Sequence, residues 1–306
     1  MVLASALLAI LAFALAWPAP ILLARAAWPS RAPAVALVVW QAIAIAGVLS
    51  TLGSLITFGL SGVADTLTAG LTRLTESVAT GGSPAGLGAL HIFALCCAVL
   101  FSGHLMLSVL TTVIRTERER RRQHDLVTLL SAPASTVPGA RVMEYPAPVA
   151  YCLPGAFRTA TVLTDGLVKA LSPDELAAVL AHERAHLTQQ HHLLLLAFRA
   201  WRKALPWFPI ATRASDAVGL LVEMLADDAA RSESSAESLV SAIVTVATGG
   251  GSSPDVGVAD ATPESAAPRV TRLLTEHPPL PSATVAAVLM SAVVLVLVPP
   301  ALLLAA

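Results

Sequence analysis

Four stretches of this chain carry no Asp, Glu, Lys or Arg: Val2 to Ala24, Ala34 to Leu60, Leu87 to Ile114 and Ala283 to Ala305. Each is longer than the roughly 20 helical residues that cross a hydrocarbon core about 30 Å thick. A bilayer admits only structures that satisfy their own backbone hydrogen bonds, so four such stretches predict a mainly α-helical membrane protein with about four spans. Composition agrees, with 13% of residues charged where a soluble domain carries about a quarter. The first stretch lacks the cationic start of a secretory signal and reads as a retained anchor.

Lys and Arg beside membrane ends stay preferentially in the cytoplasm. Arg25 and Arg31 therefore place the loop after the first span inside. The next loop, Ser61 to Gly86, is rich in Gly, Ser and Thr and sets Asp65 and Glu76 against a lone Arg73, which suits the outer side. After the third span come Arg115, Arg118, Arg120, Arg121 and Arg122, a cytoplasmic marker. The expected topology is a multi-pass protein of the cell membrane with both termini outside and the segment after Arg115 in the cytoplasm. A net charge of -1 argues against direct nucleic-acid binding by that basic cluster. Cys96, Cys97 and Cys152 form neither a disulfide framework nor a CxxC metal spacing.

The long segment between the third and fourth spans is the size of one compact domain. Val149 to Leu153 and Ala160 to Thr164 are β-branched apolar stretches around Pro154 and Gly155, predicting two strands and a turn. Ser172, Pro173 and Glu175 then supply a hydroxyl N-cap, a proline at the first helical position and a glutamate three residues after the cap. The helix they open carries His182, Glu183 and His186. A second helix is expected over Val218 to Arg231, and Gly249 to Pro268 reads as a linker. Leu193 to Trp207 is amphipathic and cationic, equally suited to the membrane surface or to a core.

His182-Glu183-Arg184-Ala185-His186 is an HExxH sequence. A step of four residues is about 400° of helical rotation, so both imidazoles share one face and can hold zinc at about 2.0 to 2.1 Å. Glu183 is aimed past the metal and can reach its water, whose pKa zinc lowers toward about 7, which makes it the candidate general base. A catalytic zinc takes a third protein ligand, and Glu223 is the candidate. Asp227, four residues on, faces the same way and can orient a ligating imidazole from outside the coordination sphere. His191 and His192 are read as surface residues, since five residues past His186 lies about 140° away on an unbroken helix. His91 and His104 in the third span form no pair, leaving pore or polar packing roles. Arg231 and His277 are candidates for stabilising an oxyanion.

With HExxH followed by ExxxD, the chain resembles the BlaR/MecR-type membrane metallopeptidases and, more distantly, the HtpX and CAAX prenyl protease group. The resemblance extends to the amino-terminal spans, the basic turn, Pro154-Gly155-Ala156-Phe157 before a strand, and Leu171-Ser172-Pro173-Asp174-Glu175-Leu176 before the zinc helix. It implies one Zn²⁺ held by His182, His186 and Glu223, catalysis by Glu183 and support from Asp227. It also implies cytoplasmic protein targets, a BlaI-like transcriptional repressor among them. BlaR/MecR receptors continue into an extracellular sensor domain whereas this chain stops at Ala306, so direct β-lactam sensing is not expected.

The expected organisation is three transmembrane helices over 1–114, a cytoplasmic α+β, zincin-like peptidase domain over 115–282, and a last transmembrane helix over 283–306. The expected activity is peptide-bond hydrolysis by a zinc-activated water, on protein or peptide substrates beside the lipid bilayer. Two rivals stand beside regulated proteolysis: a membrane quality-control protease with the same metal site, and a non-catalytic signalling protein that keeps zinc for stability.

Overall fold

A computed structural model describes residues 1–82, 86–134, 140–153, 160–206, 209–249, 263–275 and 278–306. The chain runs as α1 (Val2–Ala16), α2 (Pro18–Arg25), a 3-10 turn (Trp28–Arg31), α3 (Pro33–Leu60), α4 (Leu67–Ala79) and α5 (Ala89–Leu130). Next come β1 (Ser131–Pro133), β2 (Ala140–Met143), β3 (Ala150–Leu153), β4 (Ala160–Thr164) and α6 (Asp165–Ala170). It finishes with α7 (Pro173–Thr188), α8 (His191–Ala204), α9 (Pro209–Arg231), α10 (Ala236–Thr248), α11 (Pro263–Leu274) and α12 (Ser282–Leu304).

Four helical segments are long and apolar enough to cross a membrane: Val2–Arg25, Pro33–Leu60, Ala89–Leu130 and Ser282–Leu304. Each overlaps one of the four uncharged stretches. The first is broken at Trp17, where Pro18 has no N–H to continue the ladder. Close packing uses small residues, as expected without a hydrophobic drive between lipid-embedded helices. A Cβ at Gly59 of α3 would sit 2.5 Å from Leu95 of α5, so only glycine lets these helices approach as they do.

Two segments differ from expectation. The loop after the second span contains α4, capped by the Thr66 hydroxyl, which accepts from Ala69 N–H at 3.4 Å. α5 runs unbroken for 42 residues, about 63 Å at 1.5 Å per residue, and so carries the basic cluster on its extension. Glu117 and Arg121 pair there one turn apart at 2.8 Å. The two ends of the bundle are tied separately. Leu67 N–H donates to the Ala306 carbonyl at one end, while Arg31 and Arg272 donate to the Pro278 and Ser30 carbonyls at the other.

The sheet has the order β1-β2-β4-β3, with β2 and β4 parallel and both outer pairings antiparallel. The expected strand pair is β3 with β4, Leu153 opposite Ala160; the turn between them lies outside the described residues. Leu163 of β4, Leu167 and Leu171 at α6, and Val179 of α7 share one core with Ala242 of α10. On its other side α7 lays Ala178 and Ala181 against Ala230, Leu239 and Ile243. Thus α7 is held between the sheet and helices α9 and α10. The expected linker over 249–268 is corrected in part: residues 263–268 begin α11, because burying Ala266 and Leu273 in that core outweighs the interruption at Pro268. Residues 250–262 lie outside the described region.

α8 and α9 connect this core to the spans. Leu195 and Phe198 of α8, with Val218, Leu221, Val222 and Met224 of α9, share a core with Leu15, Leu23, Leu37, Trp40 and Ile43. The amphipathic segment is therefore a packed helix rather than a surface one. His104 and Ser108 of α5 answer its backbone: His104 Nε2 is 2.7 Å from the Ala204 carbonyl and the Ser108 hydroxyl donates to Ala200. His91 stacks on Phe58 with ring centroids 5.2 Å apart. Both histidines serve polar or aromatic packing.

Candidate metal centre

The cap predicted at Ser172 is present in both directions. Ser172 N–H donates to Glu175 Oε2 at 2.8 Å and Glu175 N–H to Ser172 Oγ at 3.4 Å, which fixes where α7 begins and hence the phase of its histidines. His182, Glu183 and His186 are all buried. From α9, Glu223 enters the same space at 2% exposure while its neighbour Met224 turns to the spans.

His182, His186 and Glu223 each offer one ligand atom, all within 4.8 Å of one another. The two Nε2 atoms are 3.1 Å apart, and Glu223 oxygens lie 3.3 Å from His182 Nε2 and 3.5 Å from His186 Nε2. Tetrahedral ligands at about 2.05 Å from zinc stand about 3.3 Å from one another, close to the separation of the two Nε2 atoms and to that of each from its nearer Glu223 oxygen. Glu223 Oε1 is buried without a hydrogen-bond partner, an arrangement that costs stability unless a cation answers it. Asp227 lies behind His182, its Oδ1 3.0 Å from Nδ1, as the second-turn carboxylate was expected to do.

Two residues at this centre were not foreseen. Arg269 of α11 grips Asp227 through both oxygens, at 2.8 and 2.6 Å, and reaches Glu223 Oε2 at 3.0 Å. Of the two oxyanion candidates, Arg231 is exposed and His277 lies outside the described residues. The neighbouring Asp228 is held apart by Arg272 at 2.7 and 2.8 Å. The second residue is His191, which is 4% exposed rather than on the surface. α7 ends before it, at Gln190 in a left-handed conformation with φ 51°, so the helical-wheel argument does not reach it. Its Nδ1 lies 3.0 Å from His186 Nδ1. No Gly or Pro marks that break, and Arg269 is 42 residues from Asp227, so no local pattern pointed to either.

The charges explain the electrostatics. Glu183, Glu223 and Asp227 bring three carboxyls to one buried space, and among the described residues Arg269 and a protonated His182 are the positive groups that touch Glu223 and Asp227. A divalent cation in place of the His182 proton would balance three carboxylates together with Arg269, so donor set and charge fit zinc. Burial pushes His182 down, but hydrogen bonds from its ring to the Asp227 and Glu223 carboxylates outweigh it and hold its pKa up at about 9. Burial pulls His186 down to about 3 and His191 to about 4. Burial raises Glu223 and Asp227, yet Arg269 with the histidines brings both below the usual carboxylate range.

No curated protein and no solved structure matches the chain significantly. Residues 114–220 match the model of peptidase family M48. The matched segment contains His182, Glu183 and His186 and ends three residues before Glu223. Four membrane-length helices therefore accompany a segment, about a third of the chain, that is similar to peptidase family M48, which is consistent with the BlaR/MecR and HtpX resemblance.

Proposed function

We propose that the protein is an integral membrane zinc endopeptidase whose metal is held by His182, His186 and Glu223 and whose catalytic base is Glu183. The observation that carries this reading is the convergence of one ligand atom each from His182, His186 and Glu223 within 4.8 Å in a buried space rich in carboxyls. When bound, zinc supplies a Lewis acid that acidifies water and polarises a carbonyl. Glu183 accepts a proton from water as it attacks the peptide carbonyl and returns that proton to the leaving amine. Asp227 keeps the proton of His182 on Nδ1, so that Nε2 presents a lone pair. Arg269 holds Asp227 and Glu223 in place.

The proposed organisation is three spans over 1–114, the peptidase domain over 115–282 on the cytoplasmic side, and a final span over 283–306 with both termini outside. The basic cluster after Ile114 supports that orientation. Substrates are taken to be proteins at the membrane surface, because Met224 packs on the spans while Glu223 faces the metal centre, a separation of about one helix width, 10 Å. Regulated cleavage of a BlaI-like repressor is the specific form that the resemblance favours.

The test compares wild type with Glu183→Ala for zinc content and for cleavage of a membrane-associated protein library. Equal cleavage by both would sink the mechanism, and zinc retention with lost cleavage would support it. Reporters fused after Arg122 and at Ala306 should read cytoplasm and exterior; the reverse pattern would overturn the orientation.

A further inference from the structure

We infer that His191, together with Gln189, is a positioning pair that fixes the tautomer and aim of His186. The inference rests on the zinc reading above. His191 Nε2 lies 2.9 Å from Gln189 Oε1, and its Nδ1 lies 3.0 Å from His186 Nδ1. A carbonyl oxygen only accepts, so His191 Nε2 carries the proton and its Nδ1, in the neutral ring, is an acceptor. His186 Nδ1 then donates to it. That leaves His186 Nε2 with its lone pair bare, on the side where His182 Nε2 stands 3.1 Å away. With the Gln189 amide reversed, its NH₂ would donate to His191 and the relay would run backwards, ending with a proton on His186 Nε2 where a ligand atom is needed.

The backbone is shaped for this contact. Gln190 adopts φ 51° and ψ 35°, a conformation that costs an L-residue roughly 1 to 2 kcal/mol, and the turn swings His191 back over the end of α7. The rings meet edge to face, with centroids 4.9 Å apart and planes at 83°. The two ligating histidines are thus braced differently: His182 by an anion, Asp227, and His186 by a neutral imidazole. A neutral brace adds no further negative charge to a site that already holds three carboxylates.

The experiment measures zinc affinity of the full-length protein in detergent by chelator competition, and the visible spectrum of its cobalt-substituted form. The variants are His191→Ala, His191→Asn and His192→Ala. Loss of an outer hydrogen-bond partner weakens metal binding about 10- to 100-fold, and that loss, with an altered cobalt spectrum, is expected for His191→Ala. His191→Asn keeps an acceptor near the place of Nδ1 and should recover most of the affinity, while His192→Ala should match wild type. Recovery by Asn also separates positioning from a general folding defect. Wild-type affinity and spectrum in His191→Ala would overturn the inference, as would His191→Asn falling as far as His191→Ala. A wild type that binds no zinc would instead overturn the metal site itself, and this inference with it.

Discussion

Replacing Arg269 by Met keeps most of the side-chain volume and removes the guanidinium that touches both Glu223 and Asp227. Arg269 is 8% exposed and the carboxylates 3% and 1%, so water cannot take over its contacts. Removing one member of such a buried pair costs about 3 to 5 kcal/mol. The cost should depend on metal. Without zinc, three carboxylates would share a buried space with the His182 imidazolium, a deficit of two charges, whereas zinc in place of that proton reduces the deficit to one. Urea unfolding in mild detergent should therefore show Arg269→Met destabilised by about 3 to 5 kcal/mol when metal-free and by less with excess zinc. Adding Asp227→Asn removes the stranded charge, so the double variant should lose less than the sum of the singles, by about 1 to 3 kcal/mol. A loss under about 1 kcal/mol in Arg269→Met, or simple additivity in the double variant, would refute the charge argument.

Zinc binding should depend steeply on pH. Because His182 is raised to about 9, its proton stabilises the metal-free protein below pH about 6.5, and that contribution fades as pH rises through about 9. Zinc must displace the proton, so its affinity should climb about tenfold per pH unit toward pH 9 and then level off; a flat profile between pH 6.5 and 9 would contradict this. Asp227→Asn should leave the protein folded while weakening zinc about 10- to 100-fold by chelator competition. Gln190→Gly should relieve the left-handed backbone at φ 51°, raising thermal stability by about 1 kcal/mol or less with zinc binding kept; a clear loss would show that the Gln190 side chain holds the turn.

The parts legible in the sequence were those encoded over one or two helical turns. Uncharged length announced the spans, and the Ser172–Glu175 box set the phase of α7 and so put His182 and His186 on one face. Glu223 and Asp227 were readable for the same reason, a step of four on one helix. What escaped depended on contacts between distant elements. Arg269 sits on α11, whose Pro-rich start resembles a linker until Ala266 and Leu273 are seen to be buried. His191 escaped because helical-wheel reasoning presumes an unbroken helix, and the break at Gln190 carries no Gly or Pro. α4 was hidden by its Gly, Ser and Thr content, although Thr66 caps it as a hydroxyl residue should.

Metal analysis and zinc-edge X-ray absorption on the full-length protein in detergent test the central claim most directly. The account predicts one zinc per chain with two imidazole ligands and a carboxylate at about 2.0 to 2.2 Å, unchanged in Glu183→Gln and lost in His182→Ala and Glu223→Ala. A wild type without zinc, or a zinc that survives in both His182→Ala and Glu223→Ala, would contradict it.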